Sequence, residues 1–391
     1  MQLMEIKSFI LLCAAAVLGG CGTCVNVGKP LPAWTEGCLD IHAVNSARGE
    51  CTFFILPDGT TMAVDAGANY GTNPKFANCL PKPDARTRPE ELYAAYMKHF
   101  MPGDSLDYFS LTHYHADHMG KFKKDYPMDD AGGYRLYGVS ALYGMVPFKT
   151  LFDRSWPEYG DSVRMEDTSV AIDDYVTFVK YQNGCGMKCG QLEPGRDDQI
   201  VLTKDPSAYP DFKVMCYCNG GVVWNGEAQQ DFKVSRENVA SAGILLSYGD
   251  FDYFTSGDNN GQGMIESMNA AIGKEVEALK CPHHMSNPGQ VNTLLDGLNP
   301  QVVVTQSFFV REIQPNQENI ESQGGRRDLF FTNIDRSLVD ARPELYSLCK
   351  GMNGHVVIRV LPGGKKFYVY MLKDTDYSYE VLAKYGPYRC K

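Results

Sequence analysis

Apolar residues dominate Leu39–Val44, Cys51–Leu56 and Thr60–Val64, each short enough and bounded well enough to predict a buried strand. Pro57-Asp58-Gly59 joins the last two as a tight turn, so they read as a hairpin. From Pro89 to Phe100 the period changes. Leu92, Tyr93, Tyr96, Met97 and Phe100 fall on one helical stripe, with proline at its start. Asp107–Leu111 is a short strand feeding His113. Beyond it the pattern predicts a helix near Ala171–Tyr181 and strands near Gln199–Thr203 and Phe212–Cys218. Ala242–Tyr248 and Tyr253–Ser256 form a second hairpin turning at Gly249-Asp250. Apolar positions 264, 265, 268, 271, 272, 276 and 279 have helical spacing, predicting a helix from Met264 to Leu279. A buried strand at Gln301–Val304, a helix at Pro343–Cys349 and a hairpin of His355–Leu361 with Lys366–Met371 complete the chain.

Strands and helices thus alternate in two halves, which predicts an α/β fold: two mixed sheets flanked by helices, an αββα sandwich. Residues 37–391 are read as one domain, with 121–235 as an insertion walling one side of a cleft, because that stretch has the least regular pattern. Residues 21–36, small and rich in Pro and Gly, read as a tether. The 391 residues are 44% hydrophobic, enough for a core, which excludes a disordered chain or a fibre. A formal charge of −10 argues against coating nucleic acid through general charge, but leaves room for a local basic site.

Residues 1–20 stand apart. Lys7 precedes an apolar run from Phe9 to Leu18, shorter than the ~20 residues of a membrane span, so the segment reads as a secretion signal. Leu18-Gly19-Gly20-Cys21 resembles the lipobox of bacterial lipoproteins. That resemblance implies lipidation of Cys21, a membrane as partner, and an exported protein anchored to the cell envelope. Of the 13 cysteines, Cys185, Cys189, Cys216 and Cys218 form the obvious local cluster. Their spacings are looser than paired CxxC, so disulfides or buried thiols are favoured over structural zinc.

The densest chemistry lies in Thr112-His113-Tyr114-His115-Ala116-Asp117-His118, which holds three of the eight histidines. At a strand end His113 and His115 point to the same side, and Asp117 and His118 follow where the chain turns. Imidazole nitrogen and carboxylate oxygen are the ligands of a borderline metal such as zinc. No Gly-x-Ser-x-Gly elbow competes as a nucleophile.

This run resembles the HxHxDH signature of the metallo-β-lactamase superfamily. Asp65-Ala66-Gly67, Gly257-Asp258 and Lys280-Cys281-Pro282-His283-His284 resemble that family's other strand-end motifs, in the family's order. The resemblance implies the αββα metallo-β-lactamase sandwich and up to two Zn²⁺ ions. His113 and His115 would hold one; Asp117, His118 and His283 the other, with His284 as the alternative to His283. Asp258 would bridge them, Asp65 would orient a ligand histidine, and Asp117 or Asp258 would handle the proton in catalysis. The superfamily usually supplies a further histidine, yet residues 119–282 contain none. The strand-like run Asn238–Gly249 stands there instead, and resembles the β-lactamase-like domain of ComEC-type DNA-uptake proteins. Asn238 is then at best a weak ligand, so the His113/His115 position is expected to bind more weakly or to prefer a harder ion such as Mn²⁺. His42 reads as a packed or surface histidine rather than a ligand.

The resemblance favours a phosphodiester substrate, and Lys121, Lys123, Lys124 and Arg326-Arg327 are candidate cations for it. A small-molecule hydrolase acting on a lactone, lactam or thioester is the alternative. A lipid-anchored binding protein with a metal and no catalysis is the non-enzyme reading.

Overall fold

The computed structural model describes residues 25–68, 80–160, 170–306 and 312–391. The predicted signal segment and Cys21 lie outside the described residues. Two nine-stranded mixed sheets dominate. The first runs Val381–Arg389, Lys366–Leu372, His355–Val360, Leu39–Ala43, Thr52–Ile55, Thr61–Val64, Leu106–Ser110, Phe148–Phe152, Lys188–Gly190. The second runs Gln229–Asp231, Val222–Trp224, Phe212–Asn219, Gly243–Tyr248, Phe251–Thr255, Ala278–Lys280, Val302–Thr305, Asp328–Phe331, Cys349–Met352.

The two-residue side-chain period sorts each strand between layers. Leu39, Ile41 and Ala43 enter the core between the sheets, while Asp40 and His42 point outward to the helix Pro89–Phe100. Ile244 and Leu246 enter the same inner core, and Leu245 faces the helices on the far side. Helices Pro89–Phe100 and Ile172–Gly184 cover the first sheet; Gln262–Ile272, Pro288–Leu298 and Ile313–Gln323 cover the second. Helix, sheet, sheet, helix is the predicted layering.

Several local expectations change. Residues 121–235, expected as an insertion, add Phe148–Phe152 and Lys188–Gly190 to one edge of the first sheet and three strands to one edge of the second. The expected strand at Gln199–Thr203 is irregular backbone. The helix from Met264 stops at Ile272, where Gly273 takes a left-handed φ of 61° as its C-cap, and Ala278–Lys280 is a central strand. The described part of the predicted tether is docked. Val25 and Leu31 are buried, and the Leu31 amide donates to the Tyr379 carbonyl at 3.1 Å. Cys185, Cys189, Cys216 and Cys218 are thiols and form no metal cluster among the described residues. No helix among the described residues is long and apolar enough to cross a membrane.

Candidate metal centre

Each motif leaves the C-terminal end of a strand. Asp65 follows Thr61–Val64 and His113 follows Leu106–Ser110, a parallel pair. Asp258 follows Phe251–Thr255 and His284 follows Ala278–Lys280, also parallel. The ends of the two sheets meet there, the usual place for a site in parallel sheets. Main-chain bonds lock the loops together: Glu50 N to Asp117 O at 2.8 Å, Ala66 N to His118 O at 2.8 Å, Ala68 N to Ala116 O at 2.9 Å. Gly67 is required by this approach, since a Cβ on it would sit 1.5 Å from the Asp117 carbonyl oxygen.

Four ligand-type atoms converge from three loops. His284 Nε2 lies 2.8 Å from Asp117 Oδ2 and 3.1 Å from Asp258 Oδ2. His118 Nε2 lies 3.1 Å from Asp258 Oδ2 and 3.8 Å from Asp117 Oδ2. Ligands about 2.0–2.1 Å from a tetrahedral ion stand about 3.3 Å apart, and these separations bracket that value. His118 Nε2 is buried and makes no hydrogen bond. The residues therefore fit a divalent ion.

The far side of each ring is held. His118 Nδ1 is 2.8 Å from Asp65 Oδ2, and Asp65 also accepts from the Thr112 amide and hydroxyl at 2.8 and 2.9 Å. His284 Nδ1 is 2.9 Å from Glu50 Oε1 and 3.2 Å from the Gln306 carbonyl. Such partners fix the tautomer that would present Nε2 to a metal. Lys280, itself buried, reaches Glu50 Oε2 at 2.6 Å, Asp258 Oδ1 at 3.3 Å and the Gly257 carbonyl at 2.7 Å.

His283 is not in this cluster; His284 takes that place. The His283 Nδ1 turns to Ser286 Oγ at 2.7 Å and to Asn287 Oδ1, while its amide donates to Asp258 Oδ1 at 3.1 Å. The cause is the backbone: His283, His284 and Met285 have φ of 47°, 53° and 61°, a left-handed turn that splays the two rings apart. Non-glycine residues pay about 1–2 kcal/mol each for that conformation.

His113 and His115 make a neighbouring pair. His113 Nε2 lies 3.2 Å from His115 Nδ1, a separation that also fits two ligands of one ion, and the His113 and His118 rings are 4.1 Å apart. Asn238 does not lie on a strand but opens the 3₁₀ turn Asn238–Ala240, and its Oδ1 is buried without a hydrogen-bond partner. Glu237 beside it takes the Tyr114 amide at 2.8 Å and the Arg154 guanidinium at 2.8 and 2.7 Å, tying this turn to the histidine loop.

Charge separates the two positions. Burial would lower the pKa of His118 and His284, but Asp258, Glu50 and the other carboxylates outweigh it and hold both well above the ordinary histidine range. Burial and then the neighbouring His118 and His115 push His113 well below it. Burial would raise the Asp258 carboxyl, yet His118, His284 and Lys280 hold it well below the usual carboxylate range.

Glu50 and Arg154–Glu237 were not anticipated from the sequence. Glu50, His118, Asp258 and His284 bring ligand atoms within 4.8 Å of one another, although Glu50 is remote from every motif. Its only signal is a carboxylate placed directly before an apolar strand. His42 is buried, with Nδ1 2.9 Å from Tyr96 Oη, and takes no part in the site. Arg326 and Arg327 precede Asp328–Phe331, the end of the parallel strands opposite the site. Arg327 is buried on the Leu295 carbonyl at 2.6 Å, and Arg326 pairs with Asp296 at 2.9 Å. Both lie at the strand end away from the site, so neither is placed to bind substrate there.

No protein-family model and no curated protein matches the chain. Among solved structures, one similar chain is described as a zinc-dependent hydrolase of the metallo-β-lactamase superfamily from Thermotoga maritima. It has 9% identity and a TM-score of 0.29, covering 70% of this chain and 77% of that one. Another is Zn²⁺-bound PqqB from Methylobacterium extorquens, with 15% identity and a TM-score of 0.39, covering 81% of this chain and 96% of that one. At that level of similarity neither neighbour says what this chain does.

Proposed function

We propose that the protein is a metal-dependent hydrolase and that its substrate is a phosphodiester. The observation that carries the first part is the convergence of His118 Nε2, His284 Nε2, Asp117 Oδ2 and Asp258 Oδ2, with Nδ1 of both rings facing a carboxylate. A zinc ion held there supplies Lewis acidity and lowers the pKa of a water to about 7. Around it, Asp65 and Glu50 orient the two histidines, and Lys280 holds Asp258 in place and offsets part of the carboxylate charge. Asp117 or Asp258 would take the proton of the attacking water. His113 and His115 would form a second and weaker place for an ion, and if the buried, unpartnered Asn238 Oδ1 joined them, Mn²⁺ would suit its amide oxygen.

The phosphodiester reading is supported by the ComEC-like motifs and by Lys121, whose amide bonds the Ala68 carbonyl at 2.8 Å just beyond the helix carrying Asp117 and His118. Lys123 and Lys124 follow on the same loop. The test is a panel of chromogenic phosphodiester, lactone, lactam and thioester substrates with zinc- and manganese-loaded protein. Phosphodiester turnover lost on chelation, restored by metal and absent in Asp258→Ala is the expected result. Turnover of only a lactone, lactam or thioester would reassign the substrate class, and no turnover of any would leave a metal-holding binding protein. Envelope anchoring through a lipid on Cys21 belongs to the same reading, tested by labelling wild type and Cys21→Ala with a fatty-acid analogue.

A further inference from the structure

The left-handed turn that aims His284 has external braces. The Asn316 Nδ2 donates to the His284 carbonyl at 2.7 Å, and the Asn319 Nδ2 donates to the Met285 carbonyl at 2.7 Å. Both asparagines are buried, 7% and 0% exposed, and both belong to the helix Ile313–Gln323. Three residues apart, they share one face of it. Asparagine is a poor helix former and costly to bury, and Asn319 Oδ1 has no hydrogen-bond partner there. An apolar pair would suit the packing of this helix better; it would not hold two carbonyls of a strained turn.

We propose that Asn316 and Asn319 are positioning residues for the metal site: they clamp the His283–Met285 turn so that His284, and not His283, faces Asp117 and Asp258. The inference rests on the metal-centre reading above. Without the clamp the turn relaxes toward ordinary φ values, and such a change reorients both rings. The His118 side of the site, held by Asp65 on the other sheet, is unaffected.

The experiment measures zinc affinity by competition with a chromophoric chelator and records the Co²⁺ spectrum, for wild type, Asn316→Asp and Asn319→Asp. Each substitution keeps the size of the side chain and removes the N–H donor. Far-UV circular dichroism and metal-free Tm report whether the fold is intact. The expected result is intact fold, zinc binding weakened about 10–100-fold as for other partners that orient a ligand, and an altered Co²⁺ spectrum. Adding His283→Gly to either variant should recover part of the affinity, because glycine takes the left-handed conformation without the Cβ penalty. Should the Asp variants fail to fold, Asn316→Ser and Asn319→Ser, too short to span the bond, are read by the same criteria. Unchanged affinity and spectrum in folded variants, against a wild type that binds tightly, would overturn the clamp. A wild type that binds neither zinc nor cobalt would instead overturn the metal-centre reading itself.

Discussion

The His118/His284 position and the His113/His115 position sit side by side, yet they are built differently. In the first, two imidazoles and two carboxylates come from three loops, and each ring is backed by a further carboxylate, Asp65 or Glu50. In the second, two rings from one loop face each other at 3.2 Å, and His113 Nδ1 lies 3.1 Å from Thr112 Oγ1, a hydroxyl and not a carboxylate. Neighbouring carboxylates hold the pKa of the first pair well above the ordinary range despite burial, whereas burial and then the neighbouring imidazoles push His113 well below it. Positive charge is therefore stabilised at the first pair and disfavoured at His113. A donor set is made strong less by its histidines than by what stands behind them.

The sharpest way to break that contrast is to remove a donor. His284→Ala or Asp258→Ala should abolish tight zinc binding, a loss beyond the 10–100-fold expected for an outer partner, whereas His283→Ala should retain it. Equal losses in His283→Ala and His284→Ala, measured by zinc competition, would erase the distinction drawn from the turn. Next in size, Glu50→Gln and Asp65→Asn should each weaken the His118/His284 position by about 10–100-fold and leave the other position's weak binding unchanged. A smaller effect is expected from Asn238→His, which gives the second position an imidazole donor. Zinc titration should then show two tight sites, where one tight and one weak site are expected of wild type.

The smallest effect on either position is expected from His355, which tests whether acid acts on the fold rather than on the site. Burial, then His42 and Lys82, depress its pKa to about 3. The unfolded chain binds a proton near pH 6.5 and the folded one does not, so stability is full above that value and declines as pH falls toward 3. His355→Gln should flatten this decline while leaving zinc affinity at neutral pH unchanged. Urea melts at pH 7 and pH 5 provide the check, with about 1 kcal/mol lost at pH 7 from the Asn45 amide bond to Nδ1.

What was legible in the sequence was local. His113, His115, Asp117 and His118 are contiguous at one strand end, and the hairpins and the Pro89–Phe100 helix declare themselves by period. The choice between His283 and His284 was not legible, because it depends on a left-handed turn of non-glycine residues held from a distant helix. Glu50 was hidden for a similar reason: its partners Lys280 and His284 are more than two hundred residues away. The strands of 121–235 gave weak patterns. Gln229–Asp231 is exposed throughout, and Phe148–Phe152 carries Lys149 and Thr150 at its centre, so neither presents an apolar run.

The order of the first sheet has a consequence for how the chain is made. Leu39–Ala43 pairs on one side with Thr52–Ile55, close in sequence, and on the other with His355–Val360, in the register Leu39 to Val360. At about 5–20 residues per second, the partner strand is synthesised roughly 15–60 s after the first. For that interval the nascent strand has one edge of unsatisfied amides and carbonyls, the kind of edge that recruits wrong partners. Arg359, on the late strand, pairs with Asp40 at 2.6 Å, so this buried ion pair can form only once that distant segment has been made.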